Sequence, residues 1–297
     1  EARRLADHRL AHNNWTASIV TPEEIFNEFS SGRQDVTAIR DFVEFLYDKN
    51  PTTLKSLLII GKGSYDYKNR IPNNTNFVPT YESRNSLAPL ETYSSDDYYG
   101  VLESNEGQWG ESPSQNHTLD IGVGRLPVKT PAEAKTVVDK IISYDSDKNN
   151  YGRWRKDLVF IADDGNTSDG FTSTHQSQAN SLSESIELIH PNFDTKKIFL
   201  GTYTKTTMPT GEVVPEANKD ITSWFDRGTL ITNYTGHGNE KLWADEKILT
   251  DVDIEALENK HYPFMVTATC EFGRQDDPAL VSSAELSLIQ PNGGTIG

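Results

Sequence analysis

A single cysteine, Cys270, stands in a chain of 297 residues. One thiol excludes an internal disulfide and every cysteine-rich zinc site, and it leaves the redox compartment unreadable. Basic residues are also short, with 28 Lys and Arg against 44 Asp and Glu and a net charge of −16. Phosphate recognition draws on Lys and Arg, so nucleic acid is not an expected partner. No apolar run approaches the roughly 20 residues needed to span a bilayer, and no signal-peptide pattern opens the chain. The chain begins with Glu and stops at PNGGTIG, which reads as the start of a strand. The expectation is a piece of a longer protein, whose missing targeting segments say little about location.

What is present fits a globular protein with ample polar loops: 35% hydrophobic residues and a mean hydropathy of −0.60. The length suits one large domain or two medium ones. Short, nearly continuous apolar runs predict strands at Ala17–Val20, Leu57–Ile60, Leu119–Val123, Leu158–Ala162, Lys197–Leu200, Thr229–Tyr234 and Phe264–Thr269. Such runs are expected of parallel strands buried on both faces. Thr21-Pro22-Glu23-Glu24 and Thr130-Pro131-Ala132-Glu133 are helix starts, each with a cap, a proline at the first helical position and acids in the first turn. Helical spacing continues over Asp35–Lys49, with further helices near 175–189, 215–226, 250–259 and 282–290. This alternation predicts an α/β fold with mostly parallel sheets flanked by helices. Residues 68–118, rich in Asn, Ser, Pro, Tyr and Asp, read as a lid-like insertion. DKNNYGRWRKD at 147–157 reads as a polar joint, dividing the chain into an N-terminal subdomain, 1–150, and a catalytic subdomain, 151–297.

Two predicted strands end on reactive residues. TLITNY runs into Thr235-Gly236-His237-Gly238, and FMVTAT runs into Cys270. Ligands of open parallel sheets bind outside the carboxyl ends of the strands, so this arrangement offers a thiol and an imidazole on one rim. That is the requirement of thiol nucleophilic catalysis. The glycines around His237 free the backbone to turn and let a peptide approach. The amides of Gly238 and Cys270 are the natural oxyanion donors. No HxxH, HExxH or paired-cysteine spacing exists, so no catalytic metal is expected. Ser94-Ser95-Asp96-Asp97 and Asp276-Asp277 offer hard oxygen ligands for structural calcium, or are solvated acidic loops. His precedes Cys, which disfavours a papain-like order and suits a caspase-like one.

NYTGHG at 233–238, followed by a strand ending in Cys270, resembles the gingipain family of cysteine peptidases, which have the caspase-like fold. LLIIGKGSYDYKNR at 57–70, ETYSSDDYYG at 91–100, DIGVGRLPVKT at 120–130 and TATCEFGRQDDP at 267–278 are most similar to the family's sortase branch, which serves the type IX secretion system of Gram-negative bacteria. The resemblance implies a caspase/gingipain-like fold, with His237 as general base and Cys270 as nucleophile. It implies Gly238 and Cys270 as oxyanion donors and Asp164, with Asp163 in reserve, as the acid that orients the histidine. Trp243 matches a pocket-lining tryptophan, with core packing as the alternative reading, and Glu271 and Thr172 fall at substrate-binding positions. Arginine-specific members carry an aspartate two or three residues before a histidine. Here Thr172, Ser173 and Thr174 precede His175, so no carboxylate stands ready for an arginine side chain.

By the same resemblance the whole protein sits at the outer face of the outer membrane. It cleaves C-terminal signal domains from exported cargo, works with other type IX components and joins cargo to anionic lipopolysaccharide. Calcium could be structural, and no cofactor is required. A general surface protease and a non-catalytic scaffold module are the alternatives.

Overall fold

The computed structural model describes residues 1–83, 92–103, 118–164, 174–209 and 211–297. The chain divides into two compact units, one formed by Glu1–Ala134 with Gln275–Leu280, the other by Lys135–Arg274 with Val281–Gly297. The change therefore comes inside a helix rather than near 150. The polar stretch after that helix is not a joint, because its Asn150 and Trp154 are buried. Asn150 Nδ2 donates to Ser143 O at 2.9 Å, and Arg155 donates to Tyr144 O at 2.7 Å while lying over the Tyr144 and Tyr151 rings.

In the first unit α1 (Ala2–Asn13), α2 (Pro22–Phe29) and α3 (Val36–Lys49) precede β1 (Ser56–Ile60). Thr21 caps α2 in a full capping box with Glu24, as its sequence demands. The predicted strand at 17–20 is absent; Ile19 and Val20 are exposed and lie in irregular chain ahead of that cap. β2 (Tyr81–Glu82) and β3 (Ser94–Ser95) pair antiparallel. β4 (Gly122–Leu126) pairs parallel with β1, Ile60 beside Leu126, and α4 (Pro131–Ser146) follows. Ile39, Ile59, Tyr98 and Tyr99 centre this unit's core.

The second unit holds β5 (Asp157–Ala162), α5 (Thr174–Ile189), β6 (Asp194–Phe199), the β7 (Thr206–Met208) and β8 (Gly211–Val213) hairpin, and α6 (Pro215–Arg227). β9 (Ile231–Thr235), the β10 (Leu242–Trp243) and β11 (Leu249–Thr250) ribbon, α7 (Asp251–Glu255), β12 (Phe264–Ala268) and α8 (Ser283–Ile289) complete it. Its four-stranded sheet has the order β12-β9-β5-β6, every pair parallel. The chain leaves β5 toward β6 and then returns to the other side for β9. The order thus reverses between β5 and β9, the point at which open parallel sheets place a ligand crevice at the carboxyl ends.

Burial on both faces holds for β5, whose residues from Leu158 to Ala162 are all buried. It fails for β12, where Phe264 is 50% and Val266 40% exposed. β12 is the outermost strand of the sheet, so one layer of cover is missing among the described residues. Among the described residues its far edge bonds to the backbone of Ile296 and Gly297, through Ile296 N to Pro263 O at 3.0 Å and Met265 N to Gly297 O at 2.8 Å.

Candidate active site

Three strand ends converge at the crevice. Ala268 of β12 pairs with Thr235 of β9, and Ala162 of β5 pairs with the same Thr235. Cys270 and His237 each stand two residues beyond that common level, on neighbouring parallel strands; both are exposed. Asp163 follows Ala162 directly and is only 3% exposed. The ladder continues past the strands, with Asp163 N donating to Thr235 O at 3.1 Å and Gly236 N to Ala268 O at 3.2 Å.

The two glycines beside His237 permit this convergence, although neither sits in the left-handed region. A Cβ on Gly236 would lie 2.4 Å from Asp163 Cβ, and one on Gly238 would lie 2.6 Å from Thr269 Oγ1 and 2.9 Å from Leu242 O. Their expected role in turning the chain is thus replaced by one of room: the β5 and β12 ends can approach only because both positions lack side chains. Past Cys270 the backbone of Glu271 does enter the left-handed region, at φ 54°. That conformation costs a non-glycine residue about 1–2 kcal/mol. It turns the chain away from β12 and leaves Glu271 exposed beside the thiol.

The carboxylate facing the histidine is Asp163, not Asp164. Successive side chains of an extended segment point to opposite sides, so only one of the pair can face β9. Asp163 Oδ2 accepts the backbone N–H of His237 at 3.1 Å. One oxygen of Asp163 and one ring nitrogen each of His237 and His175 lie within 4.8 Å of one another. Asp164 instead pairs with Lys205 Nζ at 3.1 Å; the same ammonium meets Glu246 at 2.7 Å and Glu212 at 3.4 Å. Burial works against the Lys205 charge, but hydrogen bonds to Glu246 and Asp164 outweigh it and hold the lysine well above its ordinary range.

Trp243 is fully buried at 0% exposure, which favours core packing over a place on a pocket wall. Its ring stacks on Tyr234 at 4.4 Å and 12° and lies 5.4 Å from Phe272. The Tyr234 hydroxyl donates to His237 O at 2.6 Å, and Ala244 N donates to the same carbonyl at 2.9 Å. Burial, then the nearby Asp163 carboxylate, pushes the Tyr234 phenol up, so it remains a proton donor. Trp243 therefore supports the histidine loop from below. Gly238, bridged to Trp243 across the turn, keeps its place beside the strand ends. Thr172 lies outside the described residues.

Sequence reasoning used His175 only as a landmark and gave it no role. It is the second residue of α5, and its ring meets that of His237 edge to face at 5.0 Å and 83°. A signal existed: a helix that follows a parallel strand starts on the rim where that strand ends. Of the acidic loops, Asp96 is engaged by Arg125 at 2.6 Å through both carboxylate oxygens. Burial alone would raise its pKa, but the Arg125 contacts, with Gln275 and Thr80, hold it below the usual carboxylate range.

Comparison with known proteins places this geometry. The description of Peptidase family C25 matches residues 1–297. Gingipain R2 of Porphyromonas gingivalis strain W83 is 23% identical over 236 residues, covering 80% of this chain and 26% of the relative. Gingipain R1 of Porphyromonas gingivalis is 23% identical over the same share of this chain and 20% of its own length. The chain thus spans about a quarter of these curated relatives. Among solved structures, the Arg-specific cysteine proteinase gingipain R superposes with a TM-score of 0.70 at 19% identity, over 99% of this chain and 57% of that one. The complex of RgpB pro- and mature domains from Porphyromonas gingivalis also gives 0.70 at 19%, over 99% and 60%. The fold is the expected caspase/gingipain-like α/β fold.

Proposed function

The chain belongs to peptidase family C25, a family of gingipain-like cysteine peptidases, and from that premise we propose that it is the catalytic part of a sortase of the type IX secretion system. One observation carries the proposed chemistry: Cys270 and His237 stand at the same level beyond adjacent parallel strands, set by the Ala268–Thr235 register. In this reading the Cys270 thiolate attacks the scissile carbonyl of a peptide, forming a C–S bond. The amides of Gly238 and Cys270 receive the developing oxyanion. His237 gives its proton to the leaving amine as the C–N bond breaks, and a thioester remains. Water or an amine of a lipid-linked acceptor then attacks the thioester and returns the thiol. Asp163 fixes the His237 backbone from beneath.

The sortase assignment rests on the resemblance of 57–70, 91–100, 120–130 and 267–278 to that branch, and on Thr172, Ser173 and Thr174 standing where arginine-specific members carry an acid. The substrates would be cargo proteins with C-terminal signal domains, met at the outer face of the outer membrane. Anionic lipopolysaccharide would be an acceptor and other type IX components the partners. The test is Cys270→Ala in the intact protein, in its own host, with exported cargo weighed by mass spectrometry. Cargo that keeps its C-terminal domain supports the assignment. Cargo trimmed as before overturns it.

A further inference from the structure

We propose that Asp163, His175 and His237 form a binding site for a divalent transition cation of the zinc type, and that the bound cation holds the peptidase off by taking the His237 imidazole. Three elements supply the donors: the end of β5, the start of α5 and the loop after β9. One ligand atom from each lies within 4.8 Å of the others. Ligands about 2.0 Å from a tetrahedral zinc stand about 3.3 Å apart, so small rotations of the two imidazoles close the triangle. Two imidazoles and a carboxylate are a donor set that zinc accepts, with a fourth position left open.

A further observation points to a ligand here. His175 Nδ1 is buried and has no hydrogen-bond partner among the described residues, and an unmet polar atom of this kind is destabilising until a ligand meets it. A neighbouring group of three acids behaves differently. Asp163, Asp164 and Glu246 also bring ligand atoms within 4.8 Å of one another, but Lys205 Nζ already pairs with Asp164 and Glu246. That group carries its own cation, whereas the histidine group offers two imidazole rings, donors suited to a softer one. A cation bound there removes the base from the chemistry, because a metal-bound imidazole nitrogen cannot carry the proton meant for the leaving amine.

The inhibitory half rests on His237 being the base of the proposed peptidase; the binding half does not. Calorimetric titration of zinc chloride into the Cys270→Ala chain measures binding without the thiol and without activity. One equivalent is expected, and His175→Gln, which keeps a polar side chain at the helix start, should weaken it by at least about tenfold. Cobalt(II) in the same chain should give the intense visible bands of a four-coordinate site, lost in His175→Gln. No saturable binding, or equal binding by the His175→Gln chain, overturns the site. Should binding hold while zinc at saturating concentration leaves peptide cleavage by the unsubstituted chain unchanged, the inhibitory role falls.

Discussion

Each unit of this molecule contains a parallel strand pair in a five-residue register, β1 with β4 and β9 with β12, and their carboxyl ends have opposite characters. Beside β4 the buried charges are engaged. Arg125 makes five hydrogen bonds, two to Asp96 and one each to the carbonyls of Gly61, Val78 and Pro79. Lys62, fully buried, donates to Leu280 O at 2.7 Å. Beyond β9 and β12 the demands are left open. His237 and Cys270 are exposed, while His175 Nδ1 and Thr269 Oγ1 are buried without a partner among the described residues. The same architecture gives a structural rim where charges saturate each other and a chemical rim where they wait for a ligand. An exposed thiol and imidazole beside a buried, unpartnered histidine nitrogen mark the working end.

Breaking the contrast at the chemical rim should have the largest effect. Cys270→Ala is expected to lower peptide cleavage at least about 10⁴-fold. Its unfolding free energy from urea titration should stay within about 0.5 kcal/mol of the parent, because the side chain is exposed. Arg125→Ala should do the reverse. It strands a partly buried carboxylate and removes a guanidinium that is only 3% exposed, and chemical denaturation should show a loss of about 3 kcal/mol. The folded pKa of Asp96 lies below its ordinary 3.8, so the pair's contribution is full above about pH 4 and lost as pH falls through the folded value. The acid limb of the stability profile should flatten accordingly in the variant.

Within the chemical rim the two aspartates should separate. Asp163→Asn, beneath His237, is expected to cost about 10²-fold in kcat/KM or more. Asp164→Asn only loosens the Lys205 cluster and should cost less than about tenfold; equal losses would erase the distinction drawn between them. The smallest effect concerns a buried cation away from both rims. Burial pushes the Lys140 ammonium down to about 7, with Nζ 2.9 Å from Leu288 O. The unfolded chain keeps that proton up to about 10.4, so stability should rise with pH over the window between the two values. From pH 7 to 8 the linkage amounts to about 1 kcal/mol. Lys140→Met should remove that rise, measured as the difference between two denaturant series.

Much of this was legible in the residues. LVFIA gave the central strand because a run buried on both faces has no polar alternation to hide it. Thr21-Pro22 gave its helix through local capping chemistry. Cys270 and His237 could be paired because each ends a strand, and strand ends meet at a rim. What stayed hidden depends on the direction and order of neighbours. Asp163 and Asp164 are equivalent in sequence until the register of β5 against β9 decides which one faces the histidine. The glycines flanking His237 look like turn residues until Asp163 and Thr269 are seen pressing on them. Trp243 has the composition of a pocket wall but the neighbours of a core. His175 lay outside any spacing rule, because its partners come from positions 163 and 237.

The central claim is that Cys270 and His237 act as one chemical unit across β12 and β9. A chain with one cysteine allows a direct test, since any thiol alkylation reports on Cys270 alone. The measurement is the rate of iodoacetamide alkylation at pH 6 in the parent chain and in His237→Ala. The account predicts a rate at least about tenfold faster in the parent, because a nearby imidazolium favours the reactive thiolate. Equal rates in the two chains would contradict it.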